Sequence, residues 1–177
     1  MKSLLPILLF CSVCLTTCTS NQKPDNSSKK YFDLKAYFEN EVRHLQEKNP
    51  QVEKMISKNE LSESKTLSIR NWANELGLFS GSDINKPAWK TEYEIRNMEN
   101  EIQYLAKDSK LKTKKILIDR SENGKISHIF ILNAITNNIY SSTEELHYYP
   151  DSLYSIRKKQ KIRIIGSNDY SIVGLIK

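Results

Sequence analysis

"LKTKKILIDRSENGKISHIFILNAI", residues 111–135, decides the fold. Two apolar runs flank Asn123-Gly124. Asn-Gly accepts the positive φ of a tight turn, which makes it the strongest short signal for a β-hairpin. The same rhythm continues outward on both sides. Upstream, "WKTEYEI" sets Trp89, Thr91, Tyr93 and Ile95 at alternate positions, and a polar "NMENE" leads to "IQYLAK". Downstream come "IYSSTEELHYY", "LYSIRKK", "KIRIIG" and "YSIVGLIK", separated by "TNN", Pro150-Asp151 and "SND". Alternation of this kind is the mark of strands, and short turns join antiparallel neighbours. From Trp89 onward the chain reads as about seven strands in one meander.

Before Trp89 the period is different. Tyr31, Leu34, Phe38, Val42 and Leu45 recur at three and four, which places them on one helix face until Asn49-Pro50 ends the helix. "QVEKMIS" and "ELSESKTL" flank a polar "KNE" and form a hairpin. Ser68 then caps a second helix with Ile69, Trp72, Leu76 and Phe79 on one stripe, ending near "GSDINKP". No βαβ rhythm is present. The fold class is therefore α+β: two N-terminal amphipathic helices on a long antiparallel β-meander, with a hairpin between the helices. The predicted core joins Leu34, Phe38, Val42, Leu45, Ile69, Trp72, Leu76 and Phe79 to Trp89, Tyr93, Ile95, Phe130, Ile164 and Ile172.

The cysteines ask a separate question. All three, Cys11, Cys14 and Cys18, lie near the start. Residues 4–15 are mostly apolar and follow Lys2, a run too short to span a hydrocarbon core of about 20 residues and suited to a signal-peptide h-region. "LTTC", Leu15 to Cys18, resembles the lipobox of bacterial lipoprotein precursors. That resemblance implies cleavage before Cys18 and acylation of its thiol. Leu15 matches the family's leucine, whereas Thr17 stands where Gly, Ala or Ser is usual. Cys11 and Cys14 are then apolar filler in a discarded leader. Two or more acyl chains hold a protein stably where one holds marginally. The domain layout follows: residues 1–17 a lipoprotein signal peptide, 18–30 a lipidated polar tether, and 31–177 one α+β domain.

The order of elements, with "SDINKPAW" between helices and strands and "QKIRIIGSNDYSIVGLIK" at the end, is similar to small uncharacterised lipoproteins of Bacteroidota. The resemblance implies an outer-membrane lipid anchor. The segment after Cys18 holds one acid, Asp25, and lacks the acidic run of surface-exposed members, which implies a periplasm-facing domain. The chain carries 27 Lys and Arg against 21 Asp and Glu, a net charge of +6. Its basic groups are dispersed apart from "KLKTKK" and "RKKQKIR", which read as solvated strand faces. An exported chain with this pattern excludes nucleic acid as the expected partner.

Chemistry is sparse. There is no Gly-x-Ser-x-Gly, no Gly-rich phosphate loop among five glycines, and no free thiol once Cys18 is acylated. His44, His128 and His147 are far apart in sequence. Glu145, His147 and Asp151 are the nearest approach to a ligand set, and a metal site needs three or four converging donors. The reading assigns no catalytic residue, cofactor or metal. "DINKPAW" offers Asp83, Asn85 and Trp89 either as ligand or partner contacts or as a structural corner, with Asp83 and Asn85 capping the turn and Trp89 starting a strand. The expected function is a non-catalytic binding or assembly module for an envelope protein. The alternatives are a carrier of a lipid or other hydrophobic ligand in a half-barrel cavity, and an envelope hydrolase.

Overall fold

The computed structural model describes residues 29–177. The leader and Cys18 lie outside the described residues. Helix α1 spans Leu34–Lys48, with Asp33 as N-cap accepting from the Ala36 amide at 3.1 Å. Asn49 ends it in the left-handed region, φ 44°, and Pro50 follows. Strands β1 (Gln51–Lys58) and β2 (Leu61–Ser68) form the expected hairpin. Seven more strands follow: β3 (Tyr93–Asn97), β4 (Glu101–Ala106), β5 (Thr113–Arg120), β6 (Ile126–Thr136), β7 (Tyr140–Tyr149), β8 (Leu153–Ile162) and β9 (Gly166–Ile176). Gly124 turns β5 into β6 at φ 77°.

All nine strands form one antiparallel sheet in the order β2-β1-β9-β8-β7-β6-β5-β4-β3. The hairpin is therefore not a separate unit between helices. Val52 pairs with Ile176 and Lys58 with Tyr170, so β1 extends the meander beyond its last strand. No local turn signal specifies that pairing, because it joins opposite ends of the domain.

The expected second helix is broken. It forms two single turns, α2 (Trp72–Glu75) and α3 (Gly77–Ser80), with Leu76 between them. Ser68 belongs to β2, and the cap is Asn71, whose Oδ1 accepts from the Asn74 amide at 3.0 Å. Gly77 disfavours a continuous helix. The apolar stripe survives the break, since Trp72, Leu76 and Phe79 are all fully buried. Among the described residues no helix is long and apolar enough to cross a membrane.

These helices cover one face of the sheet. Phe38 of α1 meets Phe79 and Tyr148 at ring separations of 5.1 Å each, and Trp72 meets Tyr154 at 6.1 Å. The Tyr148 hydroxyl donates to Glu41 and the Tyr154 hydroxyl to Glu75, both at 2.6 Å. Burial, reinforced by those carboxylates, holds both phenols far above their usual range. Glu75 also pairs with Lys54 of β1 at 2.7 Å, tying α2 to the far end of the sheet.

Three expected core residues sit elsewhere. Ile164 is 90% exposed because it lies in the turn between β8 and β9. Ile95 is exposed on the edge strand β3. Trp89, like Val42 and Ile172, is partly buried and packs against the core, but from a 3-10 turn over Pro87–Trp89 rather than from a strand. Phe130 is half-buried and alternates with the buried Ile129 and Ile131, so it faces away from the helices.

Candidate functional site: the uncovered face of the sheet

Strand pleating sends alternate side chains to opposite faces. The side chains opposite the helix-covered set carry the distinctive chemistry. Register builds it row by row. Leu117 of β5 is opposite Phe130 of β6, Phe130 is opposite His147 of β7, and His147 is opposite Ser155 of β8. In the next row Lys115 is opposite Leu132, and Leu132 is opposite Glu145. Among the described residues no helix packs on these rows.

Three side chains are joined across the strands. His128 Nδ1 lies 2.9 Å from Asp119 Oδ2, and His128 Nε2 lies 3.1 Å from His147 Nδ1. A carboxylate only accepts, so His128 Nδ1 carries a proton and donates to Asp119. The Nε2 of a neutral His128 then accepts, and His147 Nδ1 donates to it. That fixes both tautomers and leaves His147 Nε2 as an acceptor with no partner among the described residues. Tyr149 stacks on His128 at 4.3 Å between centroids, and Phe130 leans on His147 at 4.9 Å. Half-buried His147 is held below the usual histidine range by burial first and by the neighbouring His128 second.

The arrangement offers one oriented hydrogen-bond acceptor within an apolar setting of Leu117, Phe130 and Leu132. Among the described residues no three His, Cys, Asp or Glu side chains are placed so that they could hold a metal ion. Asp151 is not beside His147. It accepts from Lys48 at 2.8 Å and lies 2.9 Å from His44, against α1 on the covered side, so the Glu145–His147–Asp151 grouping does not form. Glu145 shares the open face and lies 3.6 Å from Arg157.

The "DINKPAW" segment is occupied with holding the chain as it enters the domain. Asn85 Oδ1 accepts from the Tyr31 amide at 3.1 Å, and its Nδ2 donates to the Phe32 carbonyl at 2.9 Å and to Asp83 at 3.2 Å. Asp83 also accepts the Asn85 amide at 3.0 Å. The Tyr31 hydroxyl donates to the Lys90 carbonyl at 2.8 Å, and Lys86 sits 4.1 Å above the Trp89 ring. Asp83 and Asn85 thus act together as a clasp on residues 31–32, with Trp89 beside it.

A groove of about 680 Å³ runs beside α1, lined by Phe38 and Val42 and rimmed by Lys35, Glu39 and Arg43. At the far end of the covered face, buried Glu144 is held by Lys158 at 3.1 Å, and Asn133 donates to Ser82 at 2.9 Å, which pins the segment after α3 to the sheet.

Distance along the sequence hides the histidine pair. The signal was present. A short turn at "TNN" fixes the register of β6 on β7 and makes positions 128 and 147 near neighbours. Comparison with protein-family models, curated proteins and solved structures finds no match for this chain.

Proposed function

We propose that this chain is a lipid-anchored protein of the bacterial cell envelope, held in the outer membrane through acylated Cys18 and facing the periplasm. Its domain is a non-catalytic binding or assembly module, and the uncovered sheet face receives an envelope protein. One observation carries the binding reading: among the described residues a nine-stranded sheet is covered by helices on one face only, and the other presents Leu117, Phe130, Leu132 and the Asp119–His128–His147 chain. Apolar side chains around a few oriented polar groups are the composition of a recognition surface. A hydrophobe carrier needs an apolar cavity of roughly 300–1,000 Å³. The interior between helices and sheet is filled by Phe38, Phe79 and Tyr148 in ring contact, which favours the binding module.

Two arms test this reading. Labelled palmitate should be incorporated by the wild type and not by Cys18→Ser, and only the wild type should partition fully with membranes. A benzophenone amino acid in place of Leu132 should give a discrete adduct in intact envelopes, and one in place of Glu39 on the helix layer should not. Label retained by Cys18→Ser would contradict the anchor. Equal adducts from both positions would contradict the choice of face.

A further inference from the structure

The sheet has two edges, and they differ. Strand β3 is five residues long, whereas β2 is eight residues long and its residues 61–66 are all exposed. A long open edge is a template for another strand unless charge, proline or a bulge blocks it. β2 has no proline and pairs with β1 without a register shift. Its two charges, Glu63 and Lys65, make no ion pair among the described residues, while Lys54 beside them is committed to Glu75.

Two hydrogen bonds at the ends of β1 set the backbone phase of this edge. Lys177 donates its amide to Gln51 O and Asn59 donates its amide to Asp169 O, so the odd residues of β1 face β9. The even residues of β1 therefore face β2, and their partners Leu61, Glu63, Lys65 and Leu67 face back toward β1. That leaves Ser62, Ser64 and Thr66 with amides and carbonyls directed outward. An added antiparallel strand must set its own outward residues opposite these.

We infer that β2 pairs with the β2 of a second copy of this chain, antiparallel, about a two-fold axis at Ser64. In this register Ser64 is opposite Ser64, Ser62 is opposite Thr66, and Glu63 is opposite Lys65 twice. Leu61 is opposite Leu67 twice. The Glu–Lys and Leu–Leu pairs fall at positions without backbone hydrogen bonds, where opposed side chains lie closest. The neighbouring registers allowed by the same phase set Glu63 against Glu63 or Lys65 against Lys65. The sequence "LSESKTL" is therefore complementary to itself in one register and repulsive in the two beside it. The pairing also covers Leu61, which is 77% exposed, and sets it beside a hollow of about 450 Å³ floored by Ile56 and Leu67. The product is one continuous sheet through both copies.

The test uses the full chain purified in detergent and sedimentation over a range of concentrations. Wild type should show reversible dimers. Glu63→Lys opposes like charges twice and should weaken the dimer by about tenfold or more. The exchange Glu63→Lys with Lys65→Glu should restore it to within about threefold of wild type, because opposite charges again face each other. Under mild oxidation Ser64→Cys should form a disulfide-linked dimer, and Asn138→Cys, on the turn between β6 and β7, should not. A monomer at every concentration overturns the inference. So does a dimer unmoved by Glu63→Lys, a loss that the exchange does not repair, or equal cross-linking from both cysteines.

Discussion

His128 Nε2 and His147 Nδ1 are 3.1 Å apart, and a hydrogen bond between them holds one proton, not two. A proton added at the free Nε2 of His147 keeps that bond but sets a cation in a half-buried place beside His128. Burial, His128 and Arg157 all press His147 toward its neutral form, and only Glu145 opposes them. Its folded pKa therefore lies below the unfolded value near 6.5. Between those two values the unfolded chain binds more protons, so stability rises with pH there and falls as pH drops below the unfolded value. The melting temperature should decline from pH 7 toward pH 5, and the decline should be shallower in His147→Gln. Identical slopes would mean that His147 is not held as described. Asp151 acts in a different window. Hydrogen bonds from Lys48 and His44 lower its pKa, so its contribution is present above the usual carboxylate value and is lost only as pH falls through its lower folded value. The Asp151 and His147 effects are thus separable in one titration.

At the scale of elements, the helix layer is held by large buried side chains. Trp72→Ala removes the ring that packs on Tyr154 and should cost about 3–5 kcal/mol in chemical denaturation. An unchanged midpoint would mean that α2 does not pack on the sheet. Gly174 is the matching feature in β9. It is opposite Tyr154, whose ring covers it, and an added Cβ would lie 2.2 Å from that ring. Gly174→Ala should displace Tyr154 from Glu75 and cost about 1–3 kcal/mol, read in the same denaturation experiment. The strands were legible because period two and turn residues are local properties. The phase of one strand was not. In "ISHIFILNAI" one face carries Ile126, His128, Phe130, Leu132 and Ala134, and the other Ile129, Ile131, Asn133 and Ile135. Both are apolar, and a shift of one residue exchanges them. The apolar pattern alone therefore sends Phe130 to the core, whereas it belongs to the open face. The break at Leu76 was hidden for a related reason: burying a stripe does not require a continuous run of helical hydrogen bonds. "DINKPAW" was legible as a corner, but its partners Tyr31 and Phe32 lie more than 50 residues upstream and leave no trace in local sequence.

The whole molecule is a sheet used asymmetrically. Residues at its two ends, Val52 and Ile176, pair to build β1 onto β9, and the helices that flank the hairpin then cover one side. The other side keeps Leu117, Phe130 and Leu132 only half-buried by their strand neighbours. The proposed binding role rests on this one-sidedness. The most direct test is maleimide labelling of single cysteines placed along β6 in the purified protein. Phe130→Cys, Leu132→Cys and Ala134→Cys should react under native conditions. Ile129→Cys, Ile131→Cys and Asn133→Cys should react only on unfolding. Protection of both sets would mean that a layer covers the second face, and reaction of both sets would mean that the helices do not cover the first.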